Sequence, residues 1–167
     1  NEVVGEISGK VYIISHSLGT AIVEKYITKF SPKLDAVVFL TPSLVIKRLQ
    51  KAFLVNFHNI MRSKSCFYFS NRLDESVESV YLDKFTDESR KIELLMIRKK
   101  VPVGYEWNYK TLVMGSLNDN CMPISVLLDT AKIFKAKLII YQEHCHDMML
   151  DPAWEIVAED ILGFILV

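Results

Sequence analysis

The sequence has few cysteines and no excess of charge of either sign. Cys66, Cys121 and Cys145 are the three cysteines among 167 residues. They are odd in number and lack C-x-x-C spacing, which argues against a disulfide framework and a zinc site. Twenty basic residues balance twenty acidic residues, so nucleic acid is not expected as a partner. A small or neutral ligand fits better, and a reducing cytoplasm is the expected location.

Long hydrophobic runs are also missing. A membrane span needs ~20 consecutive apolar residues, whereas every strand-like stretch here is interrupted sooner. No stable membrane insertion is therefore expected. Hydrophobic residues nevertheless make up 50% of the chain, which is enough to bury the core of one domain.

Apolar strand-like segments alternate with helical patterns along much of the chain. Continuous apolar strands separated by helices are typical of a buried parallel sheet. Residues 43–105 lack such strands and show helix-like stretches instead, which indicates a helical insertion. The predicted strands are 10–14, 35–40, 110–114 and 136–141. The first predicted helix follows residues 15–19 and ends at Phe30. The other predicted helices are 44–53, 75–85, 89–99, 125–134 and 154–166.

The segment Ser15-His16-Ser17-Leu18-Gly19 joins the first predicted strand to the first predicted helix. An exposed serine at such a sharp turn needs small residues two positions to either side, because the strained backbone brings these positions together. Ser15 and Gly19 meet this requirement, although serine stands where glycine is more common. The pattern predicts Ser17 as a nucleophile. The alternative is a serine that only caps the helix N-terminus.

A serine hydroxyl needs a base to remove its proton and a carboxylate to orient that base. Candidates for both follow predicted strands, where the sites of α/β proteins collect. Asp119 lies in the polar loop 115–123 and is the candidate acid. An aspartate that only bonds its own turn is the alternative. His146 lies in the loop 143–147 and is the candidate base.

Other residues near these loops allow different interpretations. His144 and His146 lie close in sequence, but no neighbouring set of ligands completes a metal site, so no metal is predicted. His16 is predicted to point away from the nucleophile and to pack or to form a wall of the substrate site. Cys121 and Cys145 flank the two loops, yet neither lies at a strand-to-helix turn, so both are expected to be small buried residues.

The chain resembles a known family, the bacterial α/β-hydrolases of the lysophospholipase-like and monoacylglycerol-lipase-like type, which carry a helical cap. The resemblance covers nearly the whole chain. Its most specific part is the run 146–151 followed by Trp154. The order Ser, Asp, His along the chain is also that of this fold and differs from other serine-hydrolase folds. The remaining matching segments are 15–19, 67–70, 87–89 and 115–123.

The resemblance implies a serine esterase or lipase that needs no cofactor. Ser17 would attack an ester carbonyl, and water activated by His146 would hydrolyse the acyl-enzyme, with Asp119 orienting the base. The backbone N–H of Leu18 would be one oxyanion donor. The expected fold is a mainly parallel sheet of about four strands flanked by helices. The expected core is 1–42 with 106–167, and the expected helical cap is 43–105.

The predicted cap carries several aromatic residues that suit an acyl chain. Phe67 and Phe69 are the candidates for contact with the substrate. Aromatic residues at such positions often pack only with one another, and this alternative stays open. The other aromatic residues of the predicted roof are Phe53, Phe57 and Tyr68.

The resembled fold begins with four strands that have no counterpart here, and one of its loops supplies the second oxyanion N–H. The chain is therefore expected to be the carboxyl-terminal part of a larger hydrolase, with strand 10–14 as an exposed sheet edge. This edge is expected to pair with the amino-terminal half or with a second copy in a homodimer.

Two functions follow from these patterns. The first is hydrolysis of a carboxylic ester, with lipid esters as one substrate class. The second is a non-catalytic α/β-hydrolase-like module that binds a small ligand or a protein, suggested by the absent strands and by Ser15. Covalent labelling of Ser17 would separate the two.

Overall fold

Helices and strands alternate along the chain in this computed structural model, which describes residues 2–43, 68–86 and 106–167. The strands are β1 (Tyr12–His16), β2 (Ala36–Leu40), β3 (Thr111–Ser116) and β4 (Lys137–Tyr141). The helices are α1 (Glu2–Glu6), α2 (Gly19–Phe30), α3 (Glu75–Leu82), α4 (Ile124–Ile133) and α5 (Trp154–Ile165).

The strands form one parallel sheet in the order β1-β2-β3-β4. The register sets Ile14 against Val38 and Met114 against Ile139. Parallel neighbours need a crossover between them, which α2 provides between β1 and β2 and α4 between β3 and β4. Because the strands point the same way, the loops that follow them meet at one edge of the sheet. The predicted parallel sheet of about four strands flanked by helices is confirmed.

Strand β2 lies at the centre of the core, since all of its residues are buried. Alternate residues of a strand point to opposite faces of a sheet. Val37 and Phe39 accordingly pack on the side of α2 and α4, and Val38 and Leu40 on the side of α5. The core on the first side also contains Ile27, Trp107, Val113, Leu127, Ala131 and Phe134, and that on the second side Ala36, Leu112, Met114, Met148, Val157, Ile161 and Phe164.

Strand β1 is the edge of the described sheet next to β2. Ile14 of β1 is 50% exposed, whereas its partner Val38 on β2 is fully buried. An edge strand presents backbone N–H and C=O groups that a further strand can pair with. The edge position agrees with the sequence prediction, and the partner expected there stays a prediction.

Strand β3 continues beyond the predicted end, through Gly115 to Ser116. The sequence favours glycine as the start of a loop. A β-carbon on Gly115 would lie 2.3 Å from Cδ1 of Leu127, so the glycine here allows α4 to pack directly against the strand.

Helix α1 was not predicted, because a segment of five residues is too short to show a helical period.

The described part of the predicted insertion is residues 68–86, which contain helix α3. Asp74 caps this helix by accepting a hydrogen bond from the Ser76 N–H at 2.8 Å, as expected of an N-cap aspartate. The predicted helices 44–53 and 89–99 lie outside the described residues, as do Phe53, Phe57 and Phe67. The division into core and cap therefore stays a prediction. None of the helices in the described ranges is long and apolar enough to cross a membrane.

Candidate active site

Ser17 lies in a strained turn between β1 and α2. Its φ of 47° falls in the left-handed region, which is uncommon for residues other than glycine. The turn brings its neighbours close together, since a β-carbon on Gly19 would lie 3.3 Å from Cβ of Ser15. A side chain at position 19 would therefore crowd Ser15, which would have to shift by a few tenths of an ångström. The small residues that the sequence pattern requires are therefore explained by this turn.

The backbone of Ser17 is fixed by the turn that follows β2. Its N–H donates to the Leu40 carbonyl at 3.0 Å, and its carbonyl accepts from the Ser43 N–H at 3.1 Å. The Leu18 N–H lies at the start of α2, where the first N–H groups of a helix have no partner within the helix. The hydroxyl of Ser17 and this N–H thus meet at the positive end of the helix dipole.

Two hydrogen bonds connect the three predicted side chains. The Ser17 hydroxyl donates to Nε2 of His146 at 2.9 Å. The Nδ1–H of His146 donates to Oδ2 of Asp119, also at 2.9 Å. His146 is 2% exposed and Asp119 is 8% exposed, so little water competes for these bonds. The structure brings together the nucleophile, base and acid candidates from the ends of three strands.

Asp119 also bonds its own loop. Its Oδ1 accepts from the Cys121 N–H at 2.7 Å and from the Met122 N–H at 2.9 Å, while Oδ2 faces His146. The turn interpretation and the acid interpretation therefore describe two oxygens of one carboxylate. The loop orients the carboxylate, and the carboxylate orients the imidazole.

His16 lies against the base rather than the nucleophile. Its ring centroid is 4.8 Å from that of His146, and its Nε2 is 3.4 Å from Oδ1 of Asp147. Burial, together with the charge of His146, lowers the pKa of His16 to about 4. The imidazole is therefore neutral near pH 7, and its contact with Asp147 is not an ion pair. Burial raises the pKa of Asp147 to about 6.

Among the described residues 68–86, Tyr68 lies against His146. Its ring centroid is 5.9 Å from that of His146, and its carbonyl accepts from the Asp147 N–H at 3.0 Å. Phe69, the predicted substrate contact, is 5% exposed and packs against Tyr81 and Phe85. Adjacent residues of an extended segment point to opposite sides, and this was the only signal in the sequence for choosing Tyr68 over Phe69.

Arg72 connects the insertion to the loop of the base and was not singled out from the sequence. It donates to Oδ1 of Asp151 at 2.6 Å and to Oε2 of Glu143 at 2.9 Å. Asp151 is 1% exposed, and hydrogen bonds from the Ala153 N–H and from Arg72 offset the effect of burial, so that its pKa stays below the ordinary value. Residues 143–151 are thus held from outside as well as from the core.

Neither Cys145 nor the possible metal ligands around His146 are free to take another role at this site. Burial raises the pKa of Cys145 to about 12, so this thiol stays protonated and is a poor nucleophile. Within the described ranges, His146 belongs to two groups of possible metal ligands, one with His16 and Asp147 and one with Asp119 and Cys121. Both nitrogens of His146 already bond Ser17 and Asp119, so a metal would have to displace one of these bonds.

Residues 1–153 match the family model described as Serine hydrolase. The chain belongs to the serine hydrolase family. No curated protein matches it. Solved structures share its fold at low sequence identity. An esterase from Exiguobacterium antarcticum is 14% identical with a TM-score of 0.75, and the match covers 100% of this chain and 71% of that one.

Two further solved structures are similar to this serine hydrolase. Bromoperoxidase from Bacillus anthracis is 16% identical with a TM-score of 0.70, over 95% of this chain and 68% of that one. Polyneuridine aldehyde esterase is 14% identical with a TM-score of 0.68, over 97% of this chain and 75% of that one. These likenesses confirm the predicted α/β-hydrolase fold. The lysophospholipase-like subtype stays a prediction.

Proposed function

We propose that this serine hydrolase cleaves carboxylic esters with Ser17 as nucleophile, His146 as base and Asp119 as the acid that orients the base. The observation that carries the proposal is the continuous pair of 2.9 Å hydrogen bonds from Ser17 through His146 to Asp119. An isolated helix-capping serine would have no reason to meet a buried histidine and carboxylate in this order.

The first half of the reaction forms an acyl-enzyme. Nε2 of His146 accepts the Ser17 proton while Oγ bonds to the ester carbonyl carbon, and the carbonyl π electrons move onto oxygen. Asp119 stabilises the imidazolium that results. The tetrahedral intermediate then collapses, and the alkoxide leaves as alcohol with the proton from His146. In the second half, a water molecule loses a proton to His146 while its oxygen bonds to the acyl carbon. The second tetrahedral intermediate then collapses, the bond from the acyl carbon to Oγ of Ser17 breaks, and Oγ takes the proton back from His146 as the acid leaves.

The negative oxygen of the tetrahedral intermediate needs N–H donors. The Leu18 N–H is the proposed donor, because it follows the nucleophile directly and lies at the N-terminus of α2. Removal of a single oxyanion donor typically costs ~10²–10³ in rate.

The proposed substrates are esters with an apolar acyl group, lipid esters included. Tyr68 faces the base, and beside it Phe69, Tyr81 and Phe85 form an aromatic cluster in residues 68–86. Neutral and aromatic walls bind acyl chains better than charged head groups. Activity that rises from an acetyl to an octanoyl ester would support this preference, and the reverse order would contradict it.

Labelling with a fluorophosphonate probe tests the proposal most directly. The chain should be labelled, Ser17→Ala should not, and His146→Ala should react much more slowly. Ser125→Ala is the matched control, because Ser125 is an exposed serine on α4. Labelling that persists in Ser17→Ala, or a folded chain that never reacts, would instead support the non-catalytic binding module.

A further inference from the structure

The main-chain carbonyl of His146 accepts two side-chain hydrogen bonds. One comes from Oγ1–H of Thr41 at 3.1 Å and the other from Nε2–H of His16 at 3.1 Å. A carbonyl oxygen has two lone pairs, so both acceptor sites of this buried group are used by side chains. The two donors come from the ends of β1 and β2, more than a hundred residues earlier in the chain.

Thr41 is held firmly enough to act as a fixed support. It is 0% exposed, and its N–H donates to the Met114 carbonyl at 2.7 Å. Its φ of 40° lies in the left-handed region, which is a real outlier for a β-branched residue. Strain of this kind persists only where the surroundings enforce it. In this backbone conformation the Thr41 hydroxyl lies within hydrogen-bond distance of the His146 carbonyl.

The same turn also holds the nucleophile. Leu40 and Ser43, on either side of Thr41, bond the N–H and the carbonyl of Ser17. The backbone of the turn thus fixes Ser17, while the hydroxyl of Thr41 bonds His146. Residues 40–43 therefore contact both the nucleophile candidate and the base candidate, and so help to set the distance between their reacting atoms.

We propose that Thr41 and His16 are positioning residues that hold the main-chain carbonyl of His146 and so keep its imidazole at hydrogen-bond distance from Ser17. This inference rests on the proposed hydrolase function. Neither side chain touches the proton that moves, so the two residues act through the base and are not catalytic residues themselves.

The protonation of His16 agrees with this role. Burial lowers the pKa of His16 to about 4, so the ring carries one proton near pH 7. Placing this proton on Nε2 satisfies both the His146 carbonyl at 3.1 Å and Oδ1 of Asp147 at 3.4 Å. The opposite tautomer would set a lone pair against two acceptor oxygens.

Thr41→Val tests the contribution of the hydroxyl alone. Valine has the same shape and the same β-branching, so the backbone strain is retained while the donor is lost. We expect kcat for p-nitrophenyl butyrate to fall by about ten-fold to a hundred-fold, because small displacements of a catalytic group have effects of this size. KM should change by less than about two-fold, because the buried residue cannot touch the substrate. Thr41→Ser should recover much of the lost kcat.

The matched control is Thr130→Val on α4. Thr130 is also 0% exposed, but its hydroxyl has no hydrogen-bond partner among the described residues. The same substitution there removes a buried hydroxyl without removing a positioning bond, so kcat should stay near that of the parent chain. A similar fall of kcat in both valine variants would show that Thr41 has only a packing role and would overturn the inference.

A measurement without turnover separates this inference from the proposed function. In a Ser17→Ala background, the Nδ1–H proton of His146 should give a sharp downfield NMR signal that broadens or shifts with Thr41→Val and with His16→Leu. If this signal changes although the parent chain hydrolyses no ester, the positioning role holds and the proposed function fails. If the signal and kcat both stay unchanged, the positioning role fails.

His16→Leu keeps the inference testable if Thr41→Val does not fold. The His16 side chain is 29% exposed, so its loss leaves a smaller defect in the core. Leucine removes the donor, whereas His16→Gln keeps an amide N–H at a similar reach. A larger fall of kcat in the leucine variant than in the glutamine variant supports the role, and equal values in the two variants contradict it.

Discussion

The turns after β1 and β2 use the same strained backbone for opposite purposes. Ser17 and Thr41 both have a left-handed φ, 47° and 40°, and both present a hydroxyl toward His146. Ser17 is partly exposed and bonds the ring, whereas Thr41 is fully buried and bonds the main chain. Burial therefore distinguishes the two strained hydroxyls: that of Ser17 is open to a substrate under the proposed function, whereas that of Thr41 contacts only the protein.

The largest expected effect is the loss of activity on substitution of Ser17, in the turn after β1. Ser17→Ala should lower kcat for a p-nitrophenyl ester by at least about 10⁴-fold, because the bond-forming oxygen is lost. Alanine keeps the backbone strain, so the melting temperature should change little. Parallel measurements of kcat and thermal unfolding check this. Substantial turnover by Ser17→Ala would remove the distinction between a reacting and a supporting hydroxyl.

Asp119→Asn is expected to give the next largest effect, a fall in kcat of about 10³–10⁴-fold. Asparagine keeps the oxygen that accepts from the Cys121 and Met122 N–H groups, but it disturbs the tautomer and charge of His146. The melting temperature should therefore fall far less than turnover. Equal relative losses of stability and turnover would mean that the aspartate acts mainly in its own turn.

A good part of this site could be predicted from the sequence, because local patterns carry it. The small residues around Ser17 and the polar loops after two apolar strands were enough to identify the nucleophile, acid and base candidates. Thr41 was not found, since a threonine after a strand has no sequence signature until the fold sets it beside His146. Tyr68 was named only as part of the predicted roof while Phe69 was preferred as a substrate contact, because only tertiary packing decides which of two adjacent rings faces His146.

The predictions for the fold show the same limit. Alternation of apolar strands and helices was sufficient for the parallel sheet, while strand ends were displaced by one or two residues. Gly115 was assigned to a loop because its contact with Leu127 is invisible in the sequence. Local propensity identifies elements, and long-range packing fixes where they end.

The loop that both hydroxyls face can be probed through Asp147. Its pKa is about 6 in the folded chain, against an ordinary value of 3.8, because burial disfavours the charge. The folded state is therefore favoured by the protonated carboxyl, and this contribution is complete below pH 4 and lost as the pH rises through 6. At pH 8, Asp147→Asn should be more stable than the parent chain by on the order of 2 kcal/mol.

The gain from Asp147→Asn should become small as the pH is lowered below about 4, because the parent carboxyl is then increasingly protonated in the unfolded state as well as in the folded state. Urea unfolding at several pH values measures the effect. A gain that does not depend on pH would mean that burial of the charge is not its cause.

The smallest expected effect compares glycine at the two strained positions. Ser17→Gly should raise the free energy of unfolding by about 1 kcal/mol, because glycine adopts a positive φ without strain. Thr41→Gly relieves similar strain but loses a buried hydrogen bond and buried atoms, so it should lower that energy by about 1–2 kcal/mol. Changes of the same sign in the two variants, measured by urea unfolding, would break the comparison.

The contact between Gly115 and Leu127 makes these two positions depend on each other during sequence change. The β-carbon of an alanine at 115 would lie 2.3 and 2.6 Å from Cδ1 and Cδ2 of Leu127, so the side chain at 127 would have to move or become smaller. A substitution at 127 can come first, because a smaller side chain there costs only the free energy of forming a cavity. Sequences related to this one are therefore expected to change residue 127 before residue 115. This coupling restricts how the loop that carries Asp119 can diversify, although neither residue takes part in the chemistry.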